Sequence, residues 1–238
     1  MSLSDKIQEA TYILKDARSK VDGNGLILFS GGKDSIVAAD LAKKVLGIRN
    51  AFSEVSLLPL DIANEIKHIG SNMELNVRFN NQLPPKEFVS HWFNQLPPKK
   101  WKPSDLDKIR HWKSMPKYAK ENNIKLMVYG RRLEENTIPK PFYFKKTTGI
   151  HQVHPIYNWT REEVFEYLHT HNLEYPSCYK TGAKHLFTIV SLAQNKYKET
   201  RNMNDVFDIW TKYGMSYMKE AVDIDNRVSV YMKLRGYL

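Results

Sequence analysis

Cysteine is nearly missing from this chain: Cys178 is the single one in 238 residues. One thiol excludes an intramolecular disulfide, and it excludes any zinc or iron–sulfur site built from cysteines within one chain. Long apolar runs are missing too, since no stretch approaches the roughly 18 residues of a membrane span. Acidic residues are in short supply, 26 Asp and Glu against 36 Lys and Arg, for a formal charge of +10. Disulfide-stapled and membrane-spanning classes fall away, leaving a globular chain whose 42% hydrophobic content supports a sizeable core. A reducing cytoplasm is the expected setting, with no membrane partner. Leu3, Ile7, Ala10, Leu14, Ala17 and Val21 recur at intervals of three and four, which predicts an amphipathic helix rather than a signal peptide.

What the chain does have is Ser30-Gly31-Gly32-Lys33-Asp34-Ser35, between the apolar run Leu26-Ile27-Leu28-Phe29 and a helical pattern beginning at Ile36. That order is buried strand, tight turn, helix N-terminus. Two glycines permit turn conformations that a Cβ obstructs. Backbone N–H groups of such a turn, with the unpaired donors of the following helix, converge on one point and favour an anion there. Lys33 adds a cation, Ser30 and Ser35 add hydroxyls, and Asp34 is the candidate to hold Mg²⁺ or orient the loop. The P-loop pattern of nucleoside triphosphatases is excluded, because it needs four residues before its second glycine and Gly31 and Gly32 are adjacent.

Strand and helix signals then alternate: a helix to Leu46 ending at Gly47, a strand within Ala51 to Leu58, a helix over Asp61 to Ile69 and a strand over Glu74 to Phe79. Alternation predicts a parallel α/β sheet. Asn-Gln-Leu-Pro-Pro-Lys at residues 81–86 recurs at 94–99, too short a period for a solenoid. Each Pro-Pro reads as the start of a helix, Lys86 to Phe93 and Ser104 to Asn122. Residues 124–129 form another core strand, with Gly130-Arg131-Arg132 leaving its C-terminal end, where open α/β sheets bind ligands. Residues 139–149 read as an exposed loop or hairpin. Thr160 and Glu163 make a capping box for a helix to His169, and the chain reads helical almost to its end, with segments over Val206 to Tyr213 and Met215 to Leu234.

The string SGGKDS after an apolar strand resembles the pyrophosphate loop of the N-type ATP pyrophosphatases, or adenine nucleotide α-hydrolases. His154-Pro155-Ile156-Tyr157-Asn158-Trp159-Thr160, the helix after it and the Tyr175-Pro176 turn narrow this, because they resemble a segment of the phosphoadenosine phosphosulfate (PAPS) reductase family. The resemblance covers about residues 26–182. It implies a Rossmann-like open, mostly parallel sheet with helices on both faces, here spanning residues 1–182 with a basic insertion at about 81–122, followed by a helical C-terminal extension over 183–238. It implies ATP or a PAPS-like nucleotide with its phosphates on residues 30–35 and its adenine near Phe29 and residues 54–56, making Ser56 a contact. It also makes Arg131 a second phosphate contact, with Arg132 the register alternative. Lys33, Asp34 and Arg131 are the expected catalytic groups, since a fixed cation stabilises charge developing at an α-phosphate. The chain departs from sulfonucleotide reductases in ending without their catalytic cysteine, and Cys178 stands where a small turn residue is expected.

Residues 99–146 carry 14 Lys and Arg against 5 Asp and Glu, interleaved with aromatic residues. Such a mixture holds phosphates and stacks bases, so Lys145, Lys146, Phe142 and Phe144 are candidate contacts to an anionic acceptor, DNA or RNA included. His151 and His154 lack an obvious third metal ligand and read as strand surface or a partner contact. The expected function is an ATP pyrophosphatase that adenylates an acceptor. The alternatives are a sulfonucleotide reductase using an external thiol and a non-catalytic module that senses nucleotide or binds nucleic acid; a protein partner or homo-oligomer stays open.

Overall fold

The computed structural model describes residues 2–53, 60–80, 114–134, 138, 140–181, 207–208, 211–212 and 215–238. The described residues fall into two compact units, the first within 1–54, 66–80 and 112–176, the second within 55–65 and 177–238.

The first unit is built on six strands: β1 (Asn24–Leu28), β2 (Asn50–Ser53), β3 (Asn76–Phe79), β4 (Ile124–Tyr129), β5 (Phe142–Lys145) and β6 (Ile150–Val153). They lie in the order β3-β2-β1-β4-β6-β5, all neighbours parallel except the β5–β6 hairpin. Helix α1 (Leu3–Ser19), α2 (Lys33–Leu46), α3 (Leu60–Asn72), α4 (Ser114–Glu121) and α5 (Arg161–Thr170) complete the α/β alternation. Connections from β1 lead first toward β2 and β3, then across to β4, so the strand order reverses between β1 and β4. Such a reversal opens a crevice beyond the C-terminal ends of the two strands.

Alternating side chains divide the sheet's faces. On one, α1, α2 and α5 pack together over the buried Ile27 and Phe29. On the other, Ala119 of α4 packs on Leu26, Phe52, Met127 and Ile150, with Tyr118 and Tyr129 at the margin. The expected capping box is present on α5: the Thr160 amide donates to Glu163 Oε2 at 2.7 Å, and the Glu163 amide to Thr160 Oγ1 at 3.3 Å. Gly47 ends α2 at φ 66°, as its position predicts. A buried bond ties α5 to α2, where the Tyr167 hydroxyl donates to Asp40 Oδ2 at 2.7 Å.

Several boundaries shift from expectation. β3 starts only at Asn76, because Glu74 takes φ 54° to turn the chain out of α3. The hairpin expected within 139–149 is formed by β5 with the following strand β6, which also pairs parallel with β4, so β5 belongs to the main sheet. His154 is not strand surface; it is fully buried just past β6. In the second unit, the stretch Met215 to Leu234 is two helices, α6 (Met215–Val222) and α7 (Asn226–Leu234). Asp225 causes the break by capping α7, its Oδ1 accepting from the Arg227 amide at 2.9 Å. The expected helix at Lys86 to Phe93 and the stretch 182–206 of the chain expected to be helical lie outside the described residues, as do the N-terminal part of the helix expected from Ser104 and the C-terminal part of the strand expected to Leu58.

Replacing Tyr167 with Phe leaves Asp40 without its buried donor. The expected loss is about 1–2 kcal/mol of stability, read as a lowered unfolding midpoint in a denaturant titration followed by circular dichroism.

Candidate active site

The crevice between β1 and β4 is occupied by the loop at residues 30–35. Gly31 sits at φ 72°, and a Cβ there would lie 2.3 Å from Ile66 Cγ1, so both its conformation and its surroundings require glycine. Ser30 Oγ donates to Ser35 Oγ at 3.1 Å, and Ser35 Oγ donates to the Gly32 carbonyl at 2.9 Å, which holds the loop as a closed turn. Gly32 is the N-cap of α2 and offers no side chain to its amides. The first turn of a 14-residue helix therefore presents its donors without a capping oxygen, the arrangement that favours an anion.

Two cations converge on this helix start. Lys33 is fully buried, with Nζ 2.6 Å from Asp34 Oδ2. Arg132 is fully buried as well, with Nε 2.6 Å from Asp34 Oδ1. Its Nη1 donates to the Trp159 carbonyl at 3.2 Å and pairs with Glu134. Gly130 makes the convergence possible, since a Cβ at that position would stand 2.5 Å from the carbonyl carbon and oxygen of Asp34. The end of β4 thus lies directly on the start of α2.

The two arginines divide. Arg131, the preferred phosphate contact on resemblance, is exposed, with its guanidinium 5.1 Å over the Tyr129 ring. Arg132, the register alternative, is the one brought to the loop. Phe29 has its ring buried close to Gly70, which leaves its backbone at the strand end. Ser56 lies outside the described residues. Ser53, at the end of β2, was not singled out from sequence, yet its Oγ is buried and has no hydrogen-bond partner among the described residues. The signal was a small polar residue closing a buried strand beside β1.

Among the expected acceptor contacts, Phe142 stacks on His151 at 5.5 Å and Phe144 meets it at 4.9 Å. Phe144 and Lys146 are exposed and Lys145 half-buried, so these four belong to the hairpin arm rather than to the loop at 30–35. Cys178 is fully buried in the second unit, and burial together with nearby Glu65 pushes its thiol up to about 11, the opposite of what a nucleophilic thiolate needs.

Residues 24–218 match the phosphoadenosine phosphosulfate reductase domain family, most of the chain's length. The chain belongs to that family. It therefore sits in the adenine nucleotide α-hydrolase-like superfamily. Its fold is similar to that of a PAPS reductase from Candida auris solved as a phosphate complex, at TM-score 0.58 and 15% identity, covering 76% of this chain and 91% of that one. It is similar also to yeast FAD synthetase solved with FAD, at TM-score 0.56 and 13% identity, covering 76% of this chain and 62% of that one. No curated protein matches it in sequence. No described helix is long and apolar enough to cross a membrane. Among the described residues no group of three or more His, Cys, Asp or Glu is placed to hold a metal ion.

His154 stands out by its protonation. Burial, reinforced by Arg131 and Lys145, lowers its pKa from 6.5 to about 3. The unfolded chain takes up a proton near 6.5 that the folded chain refuses until about 3. Stability is thus fully present above pH 6.5 and falls as pH drops through that window, by up to about 1.4 kcal/mol per unit. In denaturant titrations between pH 7.5 and 4.5, His154→Phe is expected to flatten this acid slope. Gly130→Ala is expected to cost about 1–3 kcal/mol by pushing the end of β4 off the loop and to weaken pyrophosphate binding in calorimetry.

Proposed function

We propose that this chain binds an adenine nucleotide, as Mg-ATP, on the loop at residues 30–35 and cleaves it between the α- and β-phosphates to adenylate an acceptor. The observation that carries this reading is the Asp34 carboxylate, which accepts from Lys33 Nζ and Arg132 Nε at 2.6 Å each at the uncapped start of α2. One negative group already bridges two buried cations there, and a phosphate oxygen has the same charge and acceptor geometry. Membership of the PAPS reductase domain family supports an adenine nucleotide as the ligand.

In the reaction the acceptor's nucleophile attacks the α-phosphorus, the bond from that phosphorus to the bridging oxygen breaks, and pyrophosphate leaves with the electron pair. Negative charge grows on the α-phosphate oxygens and on the leaving pyrophosphate. Loop amides, Lys33 and Arg132 are held in place beforehand, so they meet that charge without reorganising. Arg132 is aimed by the Trp159 carbonyl and Glu134, and it is the arginine assigned here to the phosphates. Mg²⁺ enters as part of the nucleotide substrate. Both Asp34 oxygens are engaged by cations in this structure, so Asp34 is available to that ion only once phosphate has taken over Lys33 and Arg132. A thiol reaction at Cys178 is disfavoured by its burial and raised pKa.

With ATP and acceptor-containing extract, pyrophosphate release is expected, falling at least about 100-fold in Lys33→Ala and Asp34→Ala. Release of orthophosphate with the AMP–pyrophosphate linkage intact overturns the assignment.

A further inference from the structure

A cavity of about 350 Å³ opens at the end of the sheet opposite the loop at residues 30–35, between α4, the start of β4 and the turn joining β5 to β6. That volume falls within the roughly 300–1,000 Å³ of small-molecule pockets. β4 separates the two places: Ile124 at its start lines the cavity, whereas Gly130 and Arg132 beyond its end meet the loop. The cavity floor is apolar. Met115 and Ala119 lie one turn apart on α4, with Ile124 and Ile150 contributed by β4 and β6. The other flank of α4 is occupied, since Tyr118 turns there to Phe52 and Arg78.

A register shift shapes the β4 wall. Asn24 pairs with Ile124 but Gly25 with Leu126, so β4 carries one extra residue at its start. Met127 faces α4, and alternation places Lys125 on that face as well; the extra residue brings Ile124 there too. Lys120 and Lys125 form the rim, and no carboxylate lines the cavity. Glu121, the acid nearest to them in sequence, pairs with Lys117 at 3.8 Å, and neither rim lysine has a carboxylate partner among the described residues. A lysine in the last turn of a helix ordinarily answers unpaired carbonyls, but here the carbonyls of Tyr118, Lys120 and Asn122 are already taken. The Asn122 amide and Nδ2 donate to the first at 3.1 and 2.9 Å, the Asn123 amide to the second at 3.3 Å, and Asn24 Nδ2 to the third at 2.9 Å. Lys125 is held in place, because a Cβ at Gly23 would stand 2.4 Å from its Cγ and its stem therefore packs on that backbone. At Gly149 a Cβ would meet nothing within 4 Å, which leaves the mouth open.

We propose that this cavity binds a small amphiphilic acid, its apolar body on Met115, Ala119, Ile124 and Ile150 and its one acidic group between Lys120 and Lys125. The floor stabilises the ligand by removing hydrocarbon surface from water. The two lysines, unanswered by any acid of the lining, select an acid over neutral or cationic analogues of the same shape. This site is separate from the nucleotide site assigned to the loop at residues 30–35, and neither assignment rests on the other.

The test titrates the full chain with octanoate, octyl phosphate, 1-octanol and octylamine, followed by calorimetry and by NMR of labelled methionine methyl groups. The Met115 signal is assigned by its loss in Met115→Leu. Saturable binding of octanoate or octyl phosphate is expected to shift that methyl, about five- to twentyfold tighter than 1-octanol, with octylamine weakest. Lys120→Gln and Lys125→Gln, both at exposed positions, are expected to weaken acid binding about two- to fivefold each. Together they are expected to abolish the preference over 1-octanol. Thr148→Trp, at the exposed turn that lines the cavity, is expected to remove binding altogether. Tighter binding of octanoate assigns a carboxylate head, and of octyl phosphate a phosphate monoester. Excess pyrophosphate is expected to leave octanoate affinity unchanged; displacement by it would put the acid on the loop at residues 30–35 and overturn the proposal. Equal affinity for 1-octanol and octanoate in the unaltered chain, an unmoved Met115 methyl, or no saturation up to about 10 mM overturns it as well.

Discussion

One carboxylate joins the two halves of the crevice. Asp34 stands in the first turn of α2, contributed by the β1 side of the sheet, and it draws in Arg132 from the end of β4 while holding Lys33 of its own helix. Both cations are fully buried, a position that costs several kcal/mol per ion unless a counter-charge is present. Gly130 lets β4 approach closely enough for the pair to form. Without Asp34, both buried cations would lose the counter-charge that they share at the start of α2.

The same constraint explains why adjacent arginines differ so much. Alternation along an extended chain sends neighbouring side chains to opposite sides. Arg132 goes inward, to Asp34, Glu134 and the Trp159 carbonyl, whereas Arg131 turns out over Tyr129. One position lies on the loop at residues 30–35; the other faces a separate row of aromatic rings around His154.

Much of this was legible in the chain itself. Adjacent Gly31 and Gly32 after an apolar strand announce a tight turn into a helix, because few other sequences can make that turn. The capping box at Thr160 and Glu163 and the C-terminal Gly47 are local signals, written in residues three or four apart, and they appear in the fold as expected. The break at Asp225 is local as well, but an acidic residue inside an apolar pattern reads equally as a solvated face, so the cap was hidden. His154 was misplaced for a different reason. Its burial comes from Tyr129 on β4 and Tyr143 on β5, and nothing within its own segment encodes them.

The sequence by itself determined the strand–loop–helix turn at residues 30–35, the α/β alternation and the membership of the PAPS reductase domain family, because each is carried by contiguous residues whose spacing sets backbone conformation. Tertiary structure alone decided which arginine reaches the loop, that Asp34 is shared by two buried cations, and that His154 is enclosed without a hydrogen-bond partner among the described residues. Those outcomes depend on strand order and register, which bring residues roughly a hundred positions apart into contact, and no local pattern of spacing contains that information.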